Sequence, residues 1–182
     1  MSDDKIRSLV EAEHSKKQTE KIIRYVGNDQ QRFNSLLKLS LGKEERLAQC
    51  ASWPLSYCVE AHPELAKRHL SKLINHLSAP AHHAVHRNIV RLLRYVDIPI
   101  ALETKVLEAC FKIIHSKDEL LANKVFAIYA ILPLCIKYPD LFRELKTSMD
   151  EQIDYQSPGF KSAYRKVDAA YRKSMKSAFN FR

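Results

Sequence analysis

Prolines interrupt the apolar stretches of this sequence at Pro63, Pro99 and Pro139, 36 and 40 residues apart, and a further step of 36 back from Pro63 reaches Gly27. Both residue types stop helices: proline lacks the N–H that propagation requires, and glycine adopts backbone conformations that end a helix at little cost. The segments "HPEL" at 62–65 and "YPDL" at 138–141 share a form, with an acidic residue directly after the proline. Proline at the first helical position sacrifices no hydrogen bond, and the carboxylate beside it meets the positive end of the helix dipole. Each of these prolines is therefore predicted to open the second helix of a pair.

Between the breaks, apolar residues recur at helical spacing. They fall at Leu47, Ala51, Leu55, Cys58 and Val59, then at Val85, Ile89, Leu92, Leu93 and Val96. The pattern continues through Leu102, Val106, Ala109, Cys110 and Ile113, and through Leu121, Val125, Ile128, Leu132 and Cys135. Each series marks one face of a 3.6-residue period, and no segment alternates with period two. Only three glycines occur, too few for tight-turned β architectures or glycine-rich phosphate loops. The chain is predicted to be all-α.

A two-helix unit repeating every 36 to 40 residues is the period of an α-solenoid, in which one unit cannot bury its apolar face alone. The expected fold is thus an α–α superhelix, a single domain over 1–182. About four helical-hairpin repeats are expected at 4–40, 43–78, 80–116 and 118–154, followed by a basic C-terminal helix at 157–179. Pro54 and Pro133 fall mid-helix at matching places in two repeats, where each removes an intrahelical bond and favours a kink.

These repeats resemble HEAT-type and armadillo-type repeats. The layout also resembles that of a family of small bacterial proteins with an A-x-W segment in the second unit, here Ala51-Ser52-Trp53. Some of those relatives carry the label adenylosuccinate lyase. Members of that lyase superfamily are more than twice as long and have a flexible loop, S-S-x-x-x-P-x-K-x-N, which this sequence lacks. No lyase activity is expected.

The formal charge of +9 is unevenly placed. Residues 155–182 contain Lys161, Arg165, Lys166, Arg172, Lys173, Lys176 and Arg182 against Asp168 alone. Any acidic partner is expected to look first to this end of the chain. No run approaches the roughly 18 apolar residues of a membrane span. Cys50, Cys58, Cys110 and Cys135 have no C-x-x-C spacing, so they are expected to be small core residues in a reducing, cytoplasmic setting.

Several residues are candidates for a binding surface. Trp53, the one tryptophan, is either an exposed partner anchor or a side chain packed between repeats. His83, Arg87, Arg91 and Arg94 lie at i, i+4, i+8 and i+11, within roughly 80° of one another around a helix. Such a stripe can grip phosphates or carboxylates, or it can be a solvated face paired with acids on an adjoining helix. Lys161, Arg165, Arg172 and Lys176 form a second basic face, opposite Phe160, Tyr164, Val167, Tyr171 and either Met175 or Phe181. His62, His69 and His76 are spaced by seven, and His82 and His86 by four. The last pair could share a metal with a third ligand, yet no cysteine or acid lies near them in sequence, so no metal and no cofactor are expected.

No catalytic signature occurs: H-E-x-x-H, G-x-S-x-G and the nucleotide-binding glycine motifs are all absent. The expected function is a non-enzymatic scaffold or adaptor that holds a protein or another acidic partner. The alternative is nucleic-acid binding, since some DNA glycosylases for alkylated bases are built on HEAT-like repeats with tryptophans and an aspartate lining a basic face. No membrane partner is expected, and the oligomeric state is left open.

Overall fold

The computed structural model describes residues 2–155 and 157–179. Among them are ten α-helices, one 3-10 segment and no strand. The helices are α1 (Ser2–Ala12), α2 (Lys16–Val26), α3 (Gln30–Ser40), α4 (Glu45–Ala61), α5 (Leu70–His76), α6 (His83–Leu93), α7 (Ile100–His115), α8 (Leu121–Lys137), α9 (Pro139–Asp150) and α10 (Pro158–Phe179). The fold is an all-α, α–α solenoid. By its contacts the chain divides into two compact units, one up to Leu102 and one from Glu103, the boundary lying in the first turn of α7.

The periodic breaks all fall between helices. Gly27 ends α2 with φ at +50° and its N–H bonded to the Ile23 carbonyl at 2.9 Å. Asp29 then caps α3, its carboxylate accepting from the N–H groups of Gln31 at 2.8 Å and Arg32 at 2.9 Å. Pro139 is the first residue of α9 as predicted. Pro99 stands just ahead of α7, where its carbonyl accepts from the N–H of Leu102 at 2.8 Å. Two local expectations change. The segment 4–40 holds three helices instead of a pair, and Pro63 opens a 3-10 segment, Pro63–His69, before α5 begins. Leu65 and Ala66 are buried there, and so is Leu70 at the start of α5.

In the first unit α4 is the central helix, packed on α1, α2, α3 and α6. Ala51, Leu55, Cys58 and Val59 are buried on it, and Val85, Ile89, Leu92 and Leu93 are buried on α6. Each fully buried Val, Leu or Ile among them stabilises the fold by roughly 1.5–3 kcal/mol. Val96 lies beyond the end of α6 and is only half-buried.

In the second unit α8 packs against α9 and α10. Its buried face is turned from the predicted one. Ala127, Ile131 and Leu134 join Ile128 and Cys135 inside, while Val125 and Leu132 are half-buried. A helix with two packing neighbours buries a broader arc than the single stripe that periodicity traces. On α7, likewise, Ile114 is buried in place of Ile113. Pro54 lies inside α4 and is buried; Pro133 lies inside α8 and is exposed.

The repeat period reappears in the polar contacts. Asn88 of α6 donates to Ser52 Oγ of α4 at 2.9 Å, 36 residues away, and Arg91 donates to Ser56 Oγ at 3.1 Å, 35 residues away. His69 and Asn34, also 35 apart, meet at 2.7 Å. In the second unit Lys137 donates to Glu103 at 2.8 Å across 34 residues, and His115 meets Ser148 Oγ at 2.7 Å across 33. Neighbouring repeats within each unit are thus joined by side-chain rungs as well as by apolar packing. Such rungs fix register, because a buried donor or acceptor left without its partner costs about 1–3 kcal/mol.

Candidate partner-binding surface

The arginine stripe of α6 is not uniform. His83 and Arg94 are exposed, whereas Arg87 and Arg91 are half-buried. Arg91 is built into the contact with α4. Its guanidinium carbon lies 4.0 Å from the Tyr57 ring centroid and 5.4 Å from that of Tyr95. It also donates to Ser56 Oγ at 3.1 Å and forms an ion pair with Glu60. A guanidinium can do all of this at once because its flat face stacks while its edge carries five donors. Of the two alternatives for the stripe, Arg91 takes the paired one, with the acid supplied by the adjoining helix.

The electrostatics follow from this geometry. Partial burial alone would raise the Glu60 carboxyl. Hydrogen bonds from Arg91 and Tyr95, together with the charges of Arg91 and Arg94, outweigh burial and hold it below its ordinary value. Burial and the bond to Glu60 push the Tyr95 phenol up. Arg94 lies 5.7 Å from the Tyr95 ring centroid on the outer side of this cluster. The surface of α4 and α6 therefore presents Tyr57, Arg94 and Tyr95 around a fixed Arg91–Glu60 pair. Sequence reading missed Tyr57, Glu60 and Tyr95. The available signal was that Ser56 and Arg91 are one repeat apart.

Trp53 is half-buried on α4, its ring 5.6 Å from that of His14 in the turn between α1 and α2. It is thus neither a fully exposed anchor nor a side chain sealed between repeats.

On α10 the polar and apolar faces separate as expected. Lys161, Arg165, Arg172 and Lys176 are exposed, and Phe160, Ala163 and Val167 are buried. Tyr171 stacks on Phe142 of α9. Tyr164 donates to Asp150 at 2.6 Å and accepts from Lys146 at 2.9 Å. Arg172 is bound to Asp168 at 2.8 Å, which leaves less of its charge for a partner. Of the two alternatives for the end of this helix, Met175 is half-buried, while Phe181 lies outside the described residues, as does Arg182.

The histidines are engaged locally. His82 Nδ1 accepts from the N–H of Ala84 at 3.1 Å, and the His82 and His83 rings lie 4.2 Å apart. His86 Nε2 meets the Ala79 carbonyl at 3.1 Å. Among the described residues no three His, Cys, Asp or Glu side chains are grouped so as to hold a metal ion. All four cysteines are free thiols, and burial pushes Cys58, Cys110 and Cys135 up to about 12, where they are unreactive. Cys50 is the half-buried one. Among the described residues no helix is long and apolar enough to cross a membrane.

Stacked helical pairs, joined repeat to repeat within each unit by apolar packing and side-chain rungs, define a helical-repeat scaffold. The chain belongs to the HEAT repeat family: the family model of the HEAT repeat domain matches residues 6–171. No curated protein and no solved structure matches the chain.

Proposed function

We propose that the protein is a non-enzymatic HEAT-repeat scaffold that holds an acidic protein partner on the α4–α6 face of its first unit. The observation that carries this reading is the Arg91 cluster. Arg91, Glu60 and Ser56 lock two helices together beneath Tyr57, Tyr95 and Arg94, giving a rigid surface with aromatic rings beside a cation. Tyrosine and arginine are the residue types that dominate binding hot spots, and pre-ordering them lowers the entropy lost on association. His83 and Arg87 extend the same helix toward its N-terminus, and Trp53 adds apolar area on α4. The absence of a catalytic signature in the sequence supports a binding role, as does membership of a repeat family built for extended contact. The likeness to small bacterial proteins with the A-x-W segment adds no catalytic residue to this reading.

The test is affinity capture on the immobilised chain, comparing wild type with an Arg87→Glu/Arg94→Glu double variant. A protein retained by the wild type, released by salt and lost from the variant supports the proposal. Retention that is equal on both overturns it. Sustained cleavage of adenylosuccinate by the pure protein would overturn the non-enzymatic part.

A second reading, nucleic-acid binding, is favoured by one observation: the exposed Lys161, Arg165 and Lys176 on α10. Phe160 is buried and Tyr171 stacks on Phe142, so backbone phosphates and not bases would be the contact. Duplex DNA titrated at two salt concentrations tests it. Binding whose salt slope falls by about 0.9 for each phosphate contact removed by a Lys→Ala or Arg→Ala change on α10 supports this reading. No binding at low salt excludes it.

A further inference from the structure

We infer that the cavity between the α3–α4 turn and the α5–α6 turn of the first unit is a binding site for a phosphate-bearing small molecule, separate from the α4–α6 face. The cavity measures about 410 Å³, inside the range of roughly 300–1,000 Å³ typical of small-molecule sites. Lys43, His76 and His82 line it from three different segments, and Glu45 is the one carboxylate among its described lining residues.

One of these donors is oriented by its other bond. His82 Nδ1 accepts the Ala84 N–H, so the ring proton of the neutral imidazole sits on Nε2 and is available to donate. His86 binds the Ala79 carbonyl, and its ring stands edge-on to His76 with centroids 6.2 Å apart. The start of α4 adds a further feature. Its capping residue, Glu44, makes no capping bond because Arg7 holds the carboxylate at 2.6 and 2.9 Å. The first-turn amides of α4 are thus left without a side-chain acceptor, next to Lys43 and Glu45 at the cavity wall.

N–H donors placed around one cavity on three segments suit a tetrahedral oxyanion, whose oxygens point in separate directions, better than a planar carboxylate. A metal ion fits poorly, because no group of three ligating side chains occurs among the described residues. Sequence motifs could not reveal this site: the phosphate-binding signatures use one continuous glycine-rich loop, and here the donors are some 40 residues apart along the chain.

The experiment is a titration of the full chain with inorganic phosphate, followed by proton–nitrogen NMR of the imidazoles, with acetate as the planar control. Saturable shifts of the His76 and His82 signals at millimolar phosphate are expected, with His115 unmoved. Lys43→Ala and His76→Gln should each weaken binding about tenfold, the size of one hydrogen bond to a charged group. Glu45→Gln, a change at an exposed position, should tighten it and keeps the test readable if a histidine variant does not fold. Absence of saturable shifts overturns the site, as does wild-type affinity in both Lys43→Ala and Glu45→Gln. Acetate binding as tightly as phosphate overturns the ligand class.

Discussion

Arg91 of α6 stands over the ring of Tyr57 on α4, its guanidinium carbon 4.0 Å from the ring centroid, while it also bonds Ser56, the preceding residue of the same helix. One side chain thereby links two successive repeats through stacking, hydrogen bonding and an ion pair to Glu60.

Removing that link should be costly. Arg91→Ala is expected to lower stability by about 2 kcal/mol, since it deletes a partly desolvated cation–π contact and leaves Glu60 only the Tyr95 bond and the more distant Arg94 charge. Urea unfolding of Arg91→Ala, Tyr57→Ala and the double variant should return a coupling of about 1 kcal/mol between the two residues. A coupling near zero would mean that the stacking contributes nothing.

Gly27 is predicted to resist substitution for a backbone reason. A Cβ there meets nothing closer than the Arg24 carbonyl at 3.8 Å, so space is not the issue. With φ at +50° and ψ at −137°, however, the residue sits in a region that side chains rarely adopt. Gly27→Ala should cost about 1–3 kcal/mol, measurable by thermal or urea unfolding, with no change in helix content at low temperature.

Acid should weaken the first unit through two histidines. Burial, with help from Arg68 and Lys72, holds His69 below its ordinary value of 6.5; burial, His86 and Lys72 do the same for His76. The unfolded chain therefore binds more protons than the folded one as pH falls past 6.5. The stability these neutral rings carry is complete above that value and declines as pH drops through their folded values. In phosphate-free buffer, a His69→Gln/His76→Gln variant should lose less stability than wild type between neutral pH and mild acid. An equal loss in both would assign the acid sensitivity elsewhere.

Trp53, as the one tryptophan, reports on the α1–α2 turn. Its ring stands 5.6 Å from His14, which covers part of it. His14→Ala should expose the indole and move its emission to longer wavelength, with the melting temperature changed only slightly. An unshifted spectrum would place the shielding on other side chains.

Much of the fold could be read in the chain before any coordinates. Gly27, Pro63, Pro99 and Pro139 all separate helices, because the absence of an N–H or of a Cβ acts locally and needs no tertiary help. The core faces of α4 and α6 were equally plain, since Ala51, Leu55, Ile89 and Leu93 follow one helical stripe. On α8 the same logic slipped. Ala127, Ile131 and Leu134 are buried because two helices, α9 and α10, press on it, and periodicity reports only the strongest single stripe.

The sequence by itself determined the helical class and the separation of basic from apolar residues on α10, which arise from spacing within about 20 neighbouring positions, and the repeat period, which the recurring helix breaks mark. Only the tertiary structure decided what Arg91 does. Four basic residues at helical spacing look equivalent in a string, yet one of them meets Tyr57, Ser56 and Glu60 from the preceding repeat and becomes part of the frame. The same holds for the cavity beside His76 and His82, whose walls come from turns some 40 residues apart. Contacts across that distance depend on how repeats stack, and stacking is a property of packed surfaces that no single segment carries.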